Sequence, residues 1–179
     1  KGMLFMASGS VIHEMHHAHH HLHHDDDDND SFDAQSMEYM GGLGSKMPVT
    51  ALAMAVGSAS IIGLPLIGGF WSKESIVGAA WESLLEPGGM IMLIPAILVI
   101  ITAAMTGFYM TRMWAKTFLG KPKSEVAAHV EETTPFILLP LRILTIVTLG
   151  GIILHGIESA TWMTEGLISS HHHAEHGFI

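Results

Sequence analysis

The chain has 179 residues, 49% of them hydrophobic and only 14% charged, with a formal net charge of −9 and no cysteine. A charged fraction so far below the usual quarter, set among long apolar runs, excludes an ordinary soluble globule. The acidic balance argues against nucleic-acid binding, and a chain without cysteine has no disulfide, iron–sulfur ligand or thiolate metal site of its own.

In chain order, residues 1–14 read as a truncated transmembrane helix, because KGMLFMASGSVI opens on Lys1 already inside an apolar segment. That start, and an end at HHHAEHGFI without a closing element, lead us to expect a piece of a longer chain. Residues 15–46 form a His/Asp-rich stretch that no hydrocarbon core accepts, expected to be an external loop. The apolar block 47–84 has 38 residues and as one helix would run about 57 Å, nearly twice a bilayer core of roughly 30 Å. It is therefore read as two spans, broken at GLPLIGG, where Pro65 removes an N–H and Gly63, Gly68 and Gly69 relax the backbone. Residues 85–111 supply a further span, uncharged from Gly88 to Thr111, and 133–155 another, whose one charge is Arg142. A polar tail occupies 156–179.

Two spans in 47–84 would leave residues 112–132 alone on one side of the membrane. That loop carries Arg112, Lys116, Lys121 and Lys123, so the positive-inside rule makes it cytoplasmic and the His/Asp segment external. The fold class expected is all-α, a polytopic transmembrane helix bundle of about five spans, one of them broken.

Lys73 and Glu74 follow a run from Met47 to Ser72 with no charge at all. An ionisable group at such a depth costs a few kcal/mol even on lenient insertion scales and normally faces protein interior or water. A desolvated lysine exchanges its proton more readily than a solvated one, and a carboxylate beside it can be its partner or the next proton station. Helices interrupted by Gly and Pro free carbonyls and admit water, the usual construction at ion paths. The plainer alternatives are a lysine snorkelling to an interface or stapling two helices. Lys1 raises the same question, with no further charge until Glu14.

KGMLFMASGSVIH, MEYMGGLGSKMPVT, GLPLIGGFWSKESI and TGFYMTRMWAKTFLG, in that order, resemble the antiporter-like membrane subunit of respiratory complex I (NADH:quinone oxidoreductase chain 5, or subunit L) over residues 1 to about 155. The resemblance implies a piece of the second inverted repeat of a larger antiporter-like subunit. It implies that Lys1 is a central proton carrier, that Lys73 and Glu74 lie on the proton route of a broken helix, and that His13 has a weaker claim to the same path. MGGL (40–43) and Met47-Pro48 match positions taken as structural. Where the family has SKDE this chain has SKES, so the second acid is Ser75. The function implied is proton translocation in a subunit of NADH:quinone oxidoreductase. This chain would hold the proton path, with no cofactor of its own; NADH, flavin, iron–sulfur clusters and quinone would belong to partner subunits. Its partners would be other membrane subunits and the lipid bilayer, in a bacterial or archaeal cell membrane ahead of a thylakoid or inner mitochondrial one. The alternative is the large subunit of a multisubunit cation/proton antiporter or a membrane-bound hydrogenase.

HEMHHAHHHLHHDDDDND holds eight of the fourteen histidines. On a continued helix His13, His16, His17, His20, His21 and His24 share one face, and pairs at i, i+4 can chelate zinc, nickel or copper. The reading preferred from sequence is a solvated, biased loop with no dedicated metal. A heavy-metal transporter is disfavoured, because the spans 49–72 and 88–111 contain no His, Asp or Glu. The thirteen methionines read as adaptable packing.

Overall fold

A computed structural model of the chain describes residues 1–22, 32–65, 67, 69–85 and 89–151. The expected tail 156–179, with its HHHAEH tract, the aspartates 25–28, His24 and Gly68 lie outside the described residues. Among those described the repetitive structure is all helical: α1 (Gly2–Leu22), α2 (Pro48–Ile62), α3 (Gly69–Leu85), α4 (Leu93–Phe118), the short α5 (Glu125–His129) and α6 (Pro135–Gly151). Single 3₁₀ turns stand at Leu43–Ser45 and Gly89–Met92. Among the described residues α4 is the one helix long and apolar enough to cross a membrane, with 26 residues, or about 39 Å. α2 and α6 are shorter apolar helices.

α1 runs eight residues past the expected end at Glu14 and so takes residues 15–22 out of the expected loop. Its buried residues Met3, Ala7, Ser10, Val11, Met15 and Ala18 recur at three and four, one face of a continuous helix. Met15 and Ala18 join a buried cluster with Ala34, Val126, Ala127 and Val130, and α1 packs against α5. The apolar stripe therefore outlasts the apolar run, and His16, His17, His20 and His21 ride on the opposite face.

α2 and α4 are antiparallel neighbours. Trp114 Nε1 donates to the Ala51 carbonyl at 3.1 Å, and further along Gly107 lies against Ile62. Both start of α2 and end of α4 are tied to one layer, where the Gly42 N–H donates to the Leu119 carbonyl at 3.1 Å. Ser124 Oγ donates to the Tyr39 carbonyl at 2.6 Å. The Glu132 carboxylate accepts from the Val49 N–H at 2.8 Å and from Thr50 Oγ1 at 2.7 Å.

These bonds correct the sidedness expected from sequence. The segments 32–46 and 119–132 are one hydrogen-bonded layer at the same end of the bundle, so they cannot face each other across a membrane. The error lay in counting α3 as a separate crossing: α2 leaves this layer and α4 returns to it, so α3 adds no net crossing. Lys121 and Lys123 thus share an end with Asp33 and Glu38, and the charge contrast that oriented the chain disappears. MGGL and Met47 sit in this layer, with Met40, Leu43 and Met47 buried.

Candidate functional site

α2 stops where the sequence stops it. Pro48 stands at its first turn, where a missing N–H costs nothing, and Gly63 closes it in the left-handed conformation (φ 84°), its N–H bonded to the Ala59 carbonyl. The chain then turns back so tightly that a Cβ on Gly69 would overlap the backbone carbonyl of Ser60. Only glycine permits that approach, and it seats the first turn of α3 against the last turn of α2.

That seating brings Lys73 back to the end of α2. Its Nζ donates to the carbonyl of Ile62 at 3.0 Å. Ile62 is the last residue of α2, and terminal carbonyls of a helix have no N–H of their own helix to accept from. A cation at a helix C-terminus also meets the negative end of the helix dipole. The lysine stem lies along the turn, close enough that a Cβ on Gly63 would stand 2.9 Å from its Cδ. Lys73 is half-buried and Glu74, the next residue round α3, is exposed.

Lys73 lines an open cavity of about 660 Å³ together with Lys1, Ser60, Ser72, Thr106 and Tyr109. Two of the four candidate site residues, Lys1 just before α1 and Lys73 on α3, thus line one space. Glu74 and His13 are not among its lining residues. His13 is exposed on α1, about 18 Å along the helix from Lys1. Thr106 lies near the middle of α4, about 20 Å from either end. The cavity therefore stands at mid-length of the longest apolar helix.

The hydroxyls were missed in the sequence. Ser72 Oγ donates to the Gly69 carbonyl at 3.2 Å and Thr106 Oγ1 to the Thr102 carbonyl at 2.7 Å. With its hydrogen used inside its own helix, each oxygen keeps lone pairs for another donor. Ammonium donors and hydroxyl acceptors around one space can hold water in chains. Nothing in the sequence sets Thr106 apart, because α4 also carries Thr102, Thr111 and Thr117, each with the same hydroxyl bond to the carbonyl four residues before it.

The family model for NADH:quinone oxidoreductase/Mrp antiporter transmembrane segments matches residues 1–102. NAD(P)H-quinone oxidoreductase subunit 5 of the Chara vulgaris chloroplast is 33% identical over 158 residues, covering 83% of this chain and 21% of that protein. NADH-quinone oxidoreductase subunit L of Mycobacterium tuberculosis is 32% identical over 178 residues, 98% of this chain and 25% of that protein. NAD(P)H-quinone oxidoreductase chain 5 of a Picosynechococcus species is 41% identical over 123 residues, 68% of this chain and 16% of its own length. The chain spans a quarter or less of the length of these relatives. With a matching family model over more than half its residues and an all-helical bundle, the chain belongs to the integral-membrane, antiporter-like subunit family of complex I.

Proposed function

We propose that this chain conducts protons across a bacterial or archaeal cell membrane as part of a complex I-type NADH:quinone oxidoreductase. Electron transfer takes place in partner subunits that hold NADH, flavin, iron–sulfur clusters and quinone. The segment belongs to the second inverted repeat of the full subunit. Lys73 and Lys1 are the proton stations, with water in the cavity between them. The observation that carries this reading is that two lysines distant in sequence line one hydroxyl-bearing cavity at mid-length of α4.

In this reading Lys73 holds its proton while its ammonium donates to Ile62, and releases it to a cavity water that the Ser72 and Thr106 oxygens help to hold. Two like charges on one cavity repel, so a proton arriving at one lysine favours departure from the other. Glu74, exposed on α3, would meet the proton outside the cavity, and His13 serves farther along α1.

The test is NADH-driven proton uptake into vesicles carrying the full-length complex, wild type against Lys73→Ala. Loss of uptake together with loss of coupled quinone reduction supports a proton station. Unchanged uptake would make Lys73 a staple between α2 and α3. The family description also includes Mrp antiporters; a wild type that ignores NADH and moves protons against a cation gradient would favour that second reading.

A further inference from the structure

We infer that the exposed histidine face of α1 is a chelating site for a late first-row divalent metal ion of the zinc, nickel and copper class. The sequence alone favoured a loop here, and a loop offers no fixed ligand geometry. The structure instead continues α1 to Leu22, so that the histidines stand at fixed helical spacing.

His16 and His20 have ring centroids 4.5 Å apart at an interplanar angle of 72°, and His17 and His21 repeat the same distance and angle one residue on. All four are exposed, opposite the stripe of Val11, Met15 and Ala18 that packs α1 into the bundle. Two imidazoles one helical turn apart can each direct a ring nitrogen to one ion at about 2.0–2.1 Å, the ordinary zinc–imidazole distance. The helix has already brought the rings together, so binding does not have to order a chain. His19 belongs to neither pair, although its ring meets that of His20 edge-on with centroids 6.2 Å apart. It is half-buried and its ring lies face to face with Phe32, centroids 4.4 Å apart and 3° from parallel, which pins residue 32 to the helix.

Among the described residues no group of three or more metal-binding side chains converges. Each pair therefore supplies two ligands and leaves the other positions to water, an accessible and exchangeable site in contrast to a closed structural one. Imidazole suits copper, nickel and zinc, with copper bound tightest. His13, Glu14 and His17 also show the H-E-x-x-H spacing, but the His13 and His17 rings stack 6.3 Å apart, the widest of the three pairs. The two closer pairs are the proposed ligands, for binding and not for hydrolytic chemistry. The site is independent of the lysine cavity.

The test is a zinc(II) titration of the purified full-length complex by calorimetry, with hydrogen exchange of residues 16–22 followed in parallel. His20→Gln with His21→Gln removes one partner from each pair. His19→Gln with His129→Gln removes two histidines outside the pairs. The first double variant is expected to bind zinc weaker by at least about tenfold, the scale already set by losing a group that only supports a metal ligand, and to lose the zinc-induced slowing of exchange. The second is expected to bind as wild type. Equal losses in both variants would mean that histidine number, not spacing, holds the metal; no loss in the first would place the metal elsewhere. Either result overturns the inference.

Discussion

Lys73 Nζ donates to the carbonyl of Ile62 at 3.0 Å, so the side chain offered as a proton carrier also closes the end of the helix before it. The two roles separate by substitution. Arginine keeps a cation and its donors at the α2 terminus, yet does not give up its proton in proteins. Lys73→Arg is therefore expected to assemble into the complex at wild-type level and to lower NADH-driven proton uptake on the order of a hundredfold, the scale of one positioned proton-transfer group. Lys73→Ala, which also leaves the Ile62 carbonyl without this donor, should lose part of the assembled complex as well. Assembly is read from native gels and conduction from vesicle uptake; normal uptake in Lys73→Arg would remove Lys73 from the path.

A second bond crosses 83 residues of sequence. Glu132 caps the first turn of α2, where Met47 supplies no side-chain cap and Pro48 no N–H. Its carboxylate takes the Val49 N–H and the hydroxyl of fully buried Thr50, and its charge favours a helix N-terminus. Glu132→Ala is expected to cost about 1–2 kcal/mol, a cap's usual worth. Amide exchange at residues 49–51 should rise by about tenfold while that at α6 stays unchanged. Unaltered exchange at Val49 would show that water replaces the carboxylate without loss.

The apolar cores of α2, α4 and α6, the break at GLPLIGG and the charge at Lys73 are legible, because each is a local matter of apolar runs, proline, glycine and a charge out of place, whereas α5 and the last seven residues of α4 fall in the expected loop 112–132. Sidedness is not legible. It depends on whether α3 makes a crossing, and that is decided by contacts such as Gly42 to Leu119 and Glu132 to Val49, between residues roughly 80 apart. The extent of α1 was misjudged for a related reason. Residues 15–22 look like loop by polarity, while the buried stripe through Met15 and Ala18 is set by a partner, α5, that lies more than a hundred residues on. The hydroxyls at Ser72 and Thr106 look ordinary in sequence, since serine and threonine are common in apolar helices; only the fold shows which of them meet a lysine.

Gly69 offers a test of the turn itself. A methyl group there meets the Ser60 backbone, which has no flexible end to move aside, whereas at Gly78 on the same helix it meets nothing within 4 Å. Gly69→Ala is expected to push α3 from α2, at a cost of at least about 1–3 kcal/mol, and to carry Lys73 away from Ile62. Gly78→Ala should be neutral or slightly favourable in a helix. Assembled complex and proton uptake should fall in the first variant only; equal behaviour of the two would mean that the close approach at Gly69 does not position Lys73.

Thr102 and Thr106 make the sharpest comparison within the cavity. They are one turn apart on α4, and each hydroxyl donates to the carbonyl four residues before it, at 2.7 Å in both cases. Only Thr106 lines the space shared by the lysines. Valine keeps the shape of either side chain and removes the oxygen, so helix effects are matched and the difference isolates the cavity acceptor. Thr106→Val is expected to slow proton uptake by about fivefold, the equivalent of one hydrogen bond of about 1 kcal/mol to the water that accepts from Lys73. Thr102→Val should leave it unchanged. If the two variants conduct alike, the cavity hydroxyls take no part in holding water, and the proton path must be sought along residues other than those facing α4.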